Sequence, residues 1–279
     1  MNEVRHRLFI ADSRRMPELA DESTDLVVTS PPYWCLKDYG HAGQIGYEDA
    51  YEDYLAGLRQ VLAECHRVLR PGCRAAVNIG DQYLRASEHG RYRVQPIPAH
   101  LTDIGLRLGF DFMGSIIWRK ISTTRTTGGG QWMGSMYHPK DGHVTYEHEY
   151  ILLLRKQGRW IVPSREVRER SRLTKEERGG WFRGVWDDIR PVQRGEHAAA
   201  FPVELPRRLI RMYSFWGETV LDPFLGSGTT LLAAALEGRN SVGYEINPDY
   251  EALVRTKMGL LGLHLEVARS ARDRAGSVT

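Results

Sequence analysis

The chain has 279 residues, of which 42% are hydrophobic and 26% charged, with a net charge of +3 and a pI near 8.7. Cys35, Cys65 and Cys73 show neither metal-ligand spacing nor a disulfide framework. The first residues hold no apolar run of signal-peptide length, and nothing approaches the roughly 18 apolar residues of a membrane span. These features predict a soluble, cytoplasmic protein with no metal site and no membrane partner.

In chain order, short and almost continuously apolar strands are expected over 7–12 and 23–28, the pattern of a parallel sheet covered on both faces. Apolar residues at three- and four-residue steps predict a helix over 50–70, ended by Pro71-Gly72 ahead of a strand over 74–79. A helix over 98–108 and a strand over 110–119 follow. The Thr- and Gly-rich stretch 123–134, with Trp132 and Met133, reads as a loop, either one that closes over a substrate or a plain surface loop. A strand over 149–155 precedes a basic stretch of weak periodicity. Regular alternation returns with helices over 203–213, 229–237 and 248–261 and strands over 218–221 and 241–245. Strands alternating with helices predict an α/β fold: a doubly wound, Rossmann-like sheet in which 1–155 and 195–279 form the catalytic domain and 156–194 an insertion.

Charge is concentrated rather than spread. Arg155 to Arg194 holds 12 Lys/Arg against 6 Asp/Glu, so the rest of the chain is slightly acidic. Such an excess beside a near-neutral body fits a phosphate-binding face, and equally a solvated helical face.

Two motifs carry chemistry. The second strand ends Val27-Val28-Thr29-Ser30-Pro31-Pro32-Tyr33-Trp34. Prolines there stop the sheet ladder and stiffen the backbone, leaving carbonyls to point into the cleft at the strand end. The strand over 218–221 leads into Asp222-Pro223-Phe224-Leu225-Gly226-Ser227-Gly228-Thr229. Glycines in such a turn let the backbone pass close under a ligand, and Glu245, at the end of the next strand, suits the hydroxyls of a ribose. A phosphate-binding P-loop would need a Lys where Thr229 stands, and the dinucleotide fingerprint a Gly where Leu231 stands.

Together the two motifs resemble the S-adenosylmethionine (SAM)-dependent amino-methyltransferases of DNA, in their permuted β-type order with the catalytic tetrapeptide ahead of the cofactor motif. The resemblance implies a methyltransferase sheet and a cofactor site at Asp222, Pro223, Phe224, Gly226, Ser227, Gly228, Thr229 and Glu245. Looser matches add Asp12 beside the adenine of the cofactor and Phe201 and Pro202, in His197-Ala198-Ala199-Ala200-Phe201-Pro202, flanking it. It makes Ser30, Pro31, Pro32 and Tyr33 the catalytic residues and double-stranded DNA the substrate. A homodimer and a cognate restriction endonuclease are the companions the family suggests.

An exocyclic base amine is a poor nucleophile because its lone pair is delocalised into the ring. The Ser30 hydroxyl and the Pro31 carbonyl can accept its two hydrogens and draw it toward tetrahedral geometry, with Tyr33 as a stacking face, once the base has left the helix. Methylation at cytosine C5 would need a thiolate beside the prolines, and Cys35 lies past Trp34. Within the resembled family, Ser-Pro-Pro-Tyr marks mostly cytosine-N4 enzymes and Asp-Pro-Pro-Tyr mostly adenine-N6 enzymes, so cytosine N4 is the expected target. The other classes left open are a catalytically silent DNA-binding module and a methyltransferase of RNA or protein. Given a DNA substrate, Arg165, Arg168, Arg172, Trp181 and Arg183 of the basic insertion are the expected DNA contacts.

Overall fold

The computed structural model describes residues 4–120, 140, 144, 146–191 and 201–269. The first half runs β1 (His6–Ile10), β2 (Thr24–Thr29), α1 (Tyr51–Val68), β3 (Leu69–Ile79), β4 (Gln82–Leu84), α2 (Ala86–His89), β5 (Arg93–Gln95), α3 (Ile97–Arg107) and β6 (Phe110–Arg119). The second half runs β7 (His148–Lys156), α4 (Arg165–Arg170), α5 (Lys175–Trp181), β8 (Val185–Trp186), α6 (Glu204–Tyr213), β9 (Thr219–Asp222), α7 (Thr229–Leu236), β10 (Asn240–Glu245), α8 (Tyr250–Gly259) and β11 (Leu265–Arg269).

Nine strands form one sheet in the order β11-β1-β10-β9-β2-β3-β7-β6-β8, while β4 and β5 make a separate antiparallel ribbon. Within the large sheet only β7 opposes its neighbours. The apolar runs are buried on both faces because helices cover both. Val27, Ala75, Val77, Leu152 and Leu221 pack under α1 and α3, whereas Leu26, Val28, Ala76, Leu153 and Val220 pack under α6 and α7. This period-2 division is what the pleat imposes on a strand with no solvent face.

The connections β2-α1-β3 and β9-α7-β10 step away from each other, and β9 and β2 are neighbours. The strand order therefore reverses between them, which opens a crevice beyond their carboxyl ends, the place where open α/β sheets hold ligands.

Three expectations need correction. The helix over 50–70 stops at Val68, and β3 starts at once at Leu69, with Pro71-Gly72 inside it. The breaker pair bends the strand: pairing to β2 shifts register between Thr24 and Leu26, and Gly72 has φ +79°. Second, the insertion expected over 156–194 is packed into the sheet over 156–191. Its β8 pairs with β6, and Trp181, Trp186 and Ile189 join the buried face beneath α6. Third, the ribbon and the edge strand β11 are present where no element was expected. The loop over 123–134 and the segment 197–200 lie outside the described residues.

Candidate active site

Most functional candidates at the crevice hang on strand ends. The last residue of β2, Thr29, is buried and donates its hydroxyl to Asp222 Oδ1 at 2.7 Å, across from the last residue of β9. Asp222 also accepts from Thr230 Oγ1 at 2.6 Å and from the Phe224 amide at 3.0 Å. Burial outweighs these three donors and pushes its carboxyl up to about 6. Asp222 is 1% exposed and does not line the cavity. The residue expected to hold the cofactor thus locks the end of β2 to the glycine-rich turn.

A cavity with about 1120 Å³ of free space, open on one side, lies over these strand ends. Asp12, Phe201, Pro223, Phe224, Gly226, Ser227, Thr229 and Glu245 line one part of it, and Ser30 and Pro32 another. Pro31, Tyr33, Pro202 and Gly228 do not. Gly228 instead caps α7 at φ +84°, where a Cβ would meet Val254 at 3.1 Å. Gly226, at φ +53°, would send a Cβ into open space. The Glu245 carboxylate accepts from the Gly226 amide at 2.7 Å and the Asn247 amide at 2.9 Å, one on each oxygen. Each oxygen keeps a lone pair for a ligand hydroxyl. Burial raises its carboxyl above the ordinary range. Asp12 is bound to Arg14 through Nε at 2.8 Å, and Arg14 reaches the Gly43 carbonyl at 3.1 Å, so this pair also ties down the loop opposite.

That loop went unforeseen. Lys37, Tyr39, Gly43, Gln44 and Ile45 form a wall of the cavity, with the Tyr39 carbonyl pinned by Asn247 Nδ2 at 2.7 Å. Its polar residues look like any surface turn in sequence, so no local signal marks it.

The tetrapeptide Ser30-Pro31-Pro32-Tyr33 is held from three sides. Pro31 and Pro32 are buried, and the Pro32 carbonyl accepts from Tyr54 Oη at 2.8 Å. Among the described residues nothing donates to the Pro31 carbonyl. The Ser30 hydroxyl lies 3.4 Å from Tyr33 Oη, which accepts from Asn78 Nδ2 at 3.1 Å. Asn78 Nδ2 also donates to Glu149 Oε2 at 2.7 Å, and Glu149 pairs with Lys120. Burial, then the Glu149 charge, keeps the Tyr33 hydroxyl protonated well above its ordinary range. Asn78 and Glu149 were missed too, although each interrupts an apolar strand at its active-site end, a legible oddity. Trp34, with φ +48°, turns away into the core and donates its ring N–H to the Asp49 carbonyl at 2.9 Å.

The basic candidates lie elsewhere. The residue after α4, Ser171, accepts from the Trp216 amide at 2.7 Å, and Arg170 stacks on the Trp216 ring at 3.6 Å. Trp216 precedes β9, so Arg165, Arg168 and Arg172 sit at the edge of the sheet opposite Ser30. Arg183 is exposed beside the outermost strand, β8. Trp181 is 8% exposed within the core. It fills the sheet face and is not available to stack on a base.

The DNA methylase family matches residues 24–256. The chain belongs to the DNA methylase family. The Type II methyltransferase M.MthZI of Methanothermobacter thermautotrophicus is 38% identical over 91% of this methylase and 76% of its own length. M.MjaI of Methanocaldococcus jannaschii is 35% identical over 91% of both chains. TTHA0409 of Thermus thermophilus, solved in complex with S-adenosyl-L-methionine, superposes with a TM-score of 0.78 at 39% identity, over 95% of this chain and 99% of that one. S-adenosylmethionine is the cofactor of the methylase, and the cavity fits it: a carboxylate with spare lone pairs at Glu245, open space above Gly226, and flat walls at Phe201 and Phe224. Among the described residues no cluster of His, Cys, Asp and Glu is arranged to hold a metal, and no helix is long and apolar enough to cross a membrane.

Proposed function

We propose that the methylase transfers a methyl group to the exocyclic N4 amine of a cytosine flipped out of duplex DNA. One observation carries this reading: Ser30, a neutral hydroxyl, stands on the cavity wall at the end of β2, next to a Pro31 carbonyl that no described residue occupies. Two acceptors at adjacent positions match the two hydrogens of an amine. The rigid prolines fix that spacing before the base arrives, so little ordering entropy is spent at the moment of reaction. The buried network of Tyr33, Asn78 and Glu149 holds the Ser30 hydroxyl in place and keeps the floor of the base site polar.

When bound, S-adenosylmethionine supplies an electrophilic methyl group on a sulfonium. Glu245 and the Gly226–Ser227 turn orient it, while Ser30 and Pro31 localise the lone pair of the amine toward it. The proton released by the methylated amine passes to water. The Type II names of the two relatives extend to this chain the expectation of a companion endonuclease, and Asp12 and Phe201 stay assigned to the cofactor end of the cleft.

The test is incubation with labelled S-adenosylmethionine and mixed-sequence duplex, then mass spectrometry of the nucleosides. N4-methylcytosine is expected, with Ser30→Ala losing roughly 10²-fold or more in kcat, the scale of removing one oriented hydrogen-bonding group at a reacting centre. N6-methyladenine would keep the clamp and overturn the choice of base. Label in RNA or protein alone would overturn the reading altogether.

A further inference from the structure

We propose that the ribbon of β4, α2 and β5 is the duplex-gripping surface of the methylase, with Arg91 and Arg93 placed on backbone phosphates that flank the extruded base. The proposal rests on the DNA substrate read above.

Position is the first argument. The strand β3 runs parallel to β2, so its carboxyl end lies at the same edge as Ser30, and β4 starts three residues after Ile79. The ribbon is docked on the catalytic loop itself. Gln82 Nε2 contacts Cys35 Sγ at 3.1 Å, the His89 ring lies 5.9 Å from that of Trp34, and Leu84 is 1% exposed. Any duplex that delivers a base to Ser30 must pass beside it.

Charge and stiffness are the second. Residues 82–95 hold three arginines against one acid, Glu88, which lies 3.8 Å from Arg85. Arg91, Tyr92 and Arg93 are exposed in sequence, and Tyr92 stacks on Tyr83 with ring centroids 6.0 Å apart and planes 12° from parallel. Many arginines of the methylase pair with carboxylates, as at Arg67, Arg155, Arg207, Arg208, Arg211 and Arg269. Among the described residues Arg91 and Arg93 have no carboxylate partner. Two uncompensated guanidinium groups on a braced ribbon at the catalytic edge complement a phosphate backbone. The far-edge arginines at 165, 168 and 172 have no such relation to the cleft.

The test is anisotropy of a labelled mixed-sequence duplex titrated with the whole protein between about 50 and 200 mM salt. For Arg91→Ala/Arg93→Ala the slope of log affinity against log salt should fall by about two, with affinity at low salt down roughly tenfold or more. Melting temperature and S-adenosylmethionine binding should match wild type, and Arg91→Lys/Arg93→Lys should recover most of the slope. Arg165→Ala/Arg168→Ala/Arg172→Ala should leave it unchanged. An unchanged slope in the ribbon variant, or the loss appearing in the far-edge variant instead, overturns the proposal. A wild type that binds no duplex overturns it as well. A wild type that binds duplex without methylating it defeats the functional reading, while the slope comparison still decides the role of the ribbon.

Discussion

Asp222 shows how one buried carboxylate can join two motifs far apart in the chain. It collects hydroxyls from Thr29 on the catalytic side and Thr230 on the cofactor side, along with the Phe224 amide. Its folded carboxyl lies at about 6, raised from 3.8 by burial. A raised folded value means the stability it contributes is complete below about pH 4 and is lost as pH rises through about 6. Asp222→Asn removes that titration and keeps the size, with an NH2 in place of one acceptor oxygen that a rotated threonine hydroxyl can accept from. Urea unfolding of both proteins from pH 4 to 7 should show wild type losing up to about 3 kcal/mol relative to the variant, the scale of a two-unit shift. A difference that stays flat over that window would mean that the carboxylate is not held in a low-dielectric site.

At the scale of elements, α5 explains both why Trp181 reads as a DNA contact in sequence and what it does instead. Thr174 and Glu177 cap the helix reciprocally, and its last residue, Trp181, drops into the face beneath α6, with its carbonyl accepting from Trp186 Nε1 at 2.8 Å. Arg207 and Arg208 stand over its ring at 5.9 and 5.8 Å. Trp181→Ala should therefore cost about 3–5 kcal/mol of unfolding free energy, as deletion of a packed aromatic does. Denaturant unfolding reads that loss, and the salt slope of duplex binding should not move; a lost slope with stability intact would restore Trp181 to the DNA surface. In sequence, a tryptophan among arginines looks like a nucleic-acid contact. Its burial depends on β8 pairing with β6, a contact between distant segments that no local pattern reveals. The central strands β2 and β3 were legible for the opposite reason: continuous apolar runs such as 26–28 and 75–77 fit strands covered by helices on both faces.

For the whole molecule, the site is a property of strand order. Residues from β1, β2, β9 and β10 meet at one cleft because the connections diverge between β9 and β2. The motifs at the ends of β2 and β9 and Glu245 were legible because prolines, glycines and a carboxylate at strand ends are locally abnormal. The wall at 37–45 carries no such local signal, and Asn78 and Glu149, though each is an odd polar residue in an apolar strand, acquire their role only through neighbours from other strands. A ligand that bridges four strand ends and does not bind the unfolded chain stabilises the fold by mass action. At a hundredfold excess over Kd, S-adenosylmethionine should add about 2.7 kcal/mol, which raises Tm by roughly 5 °C in a domain of this size. Glu245→Gln keeps an acceptor but puts an NH2 on one oxygen position, against either the Gly226 or the Asn247 amide. The variant should therefore need a higher cofactor concentration for the same shift, as read by thermal melts over a concentration series. If wild type shows no shift, the cleft is not the cofactor site. If both proteins shift along one curve, the cofactor is held there without Glu245.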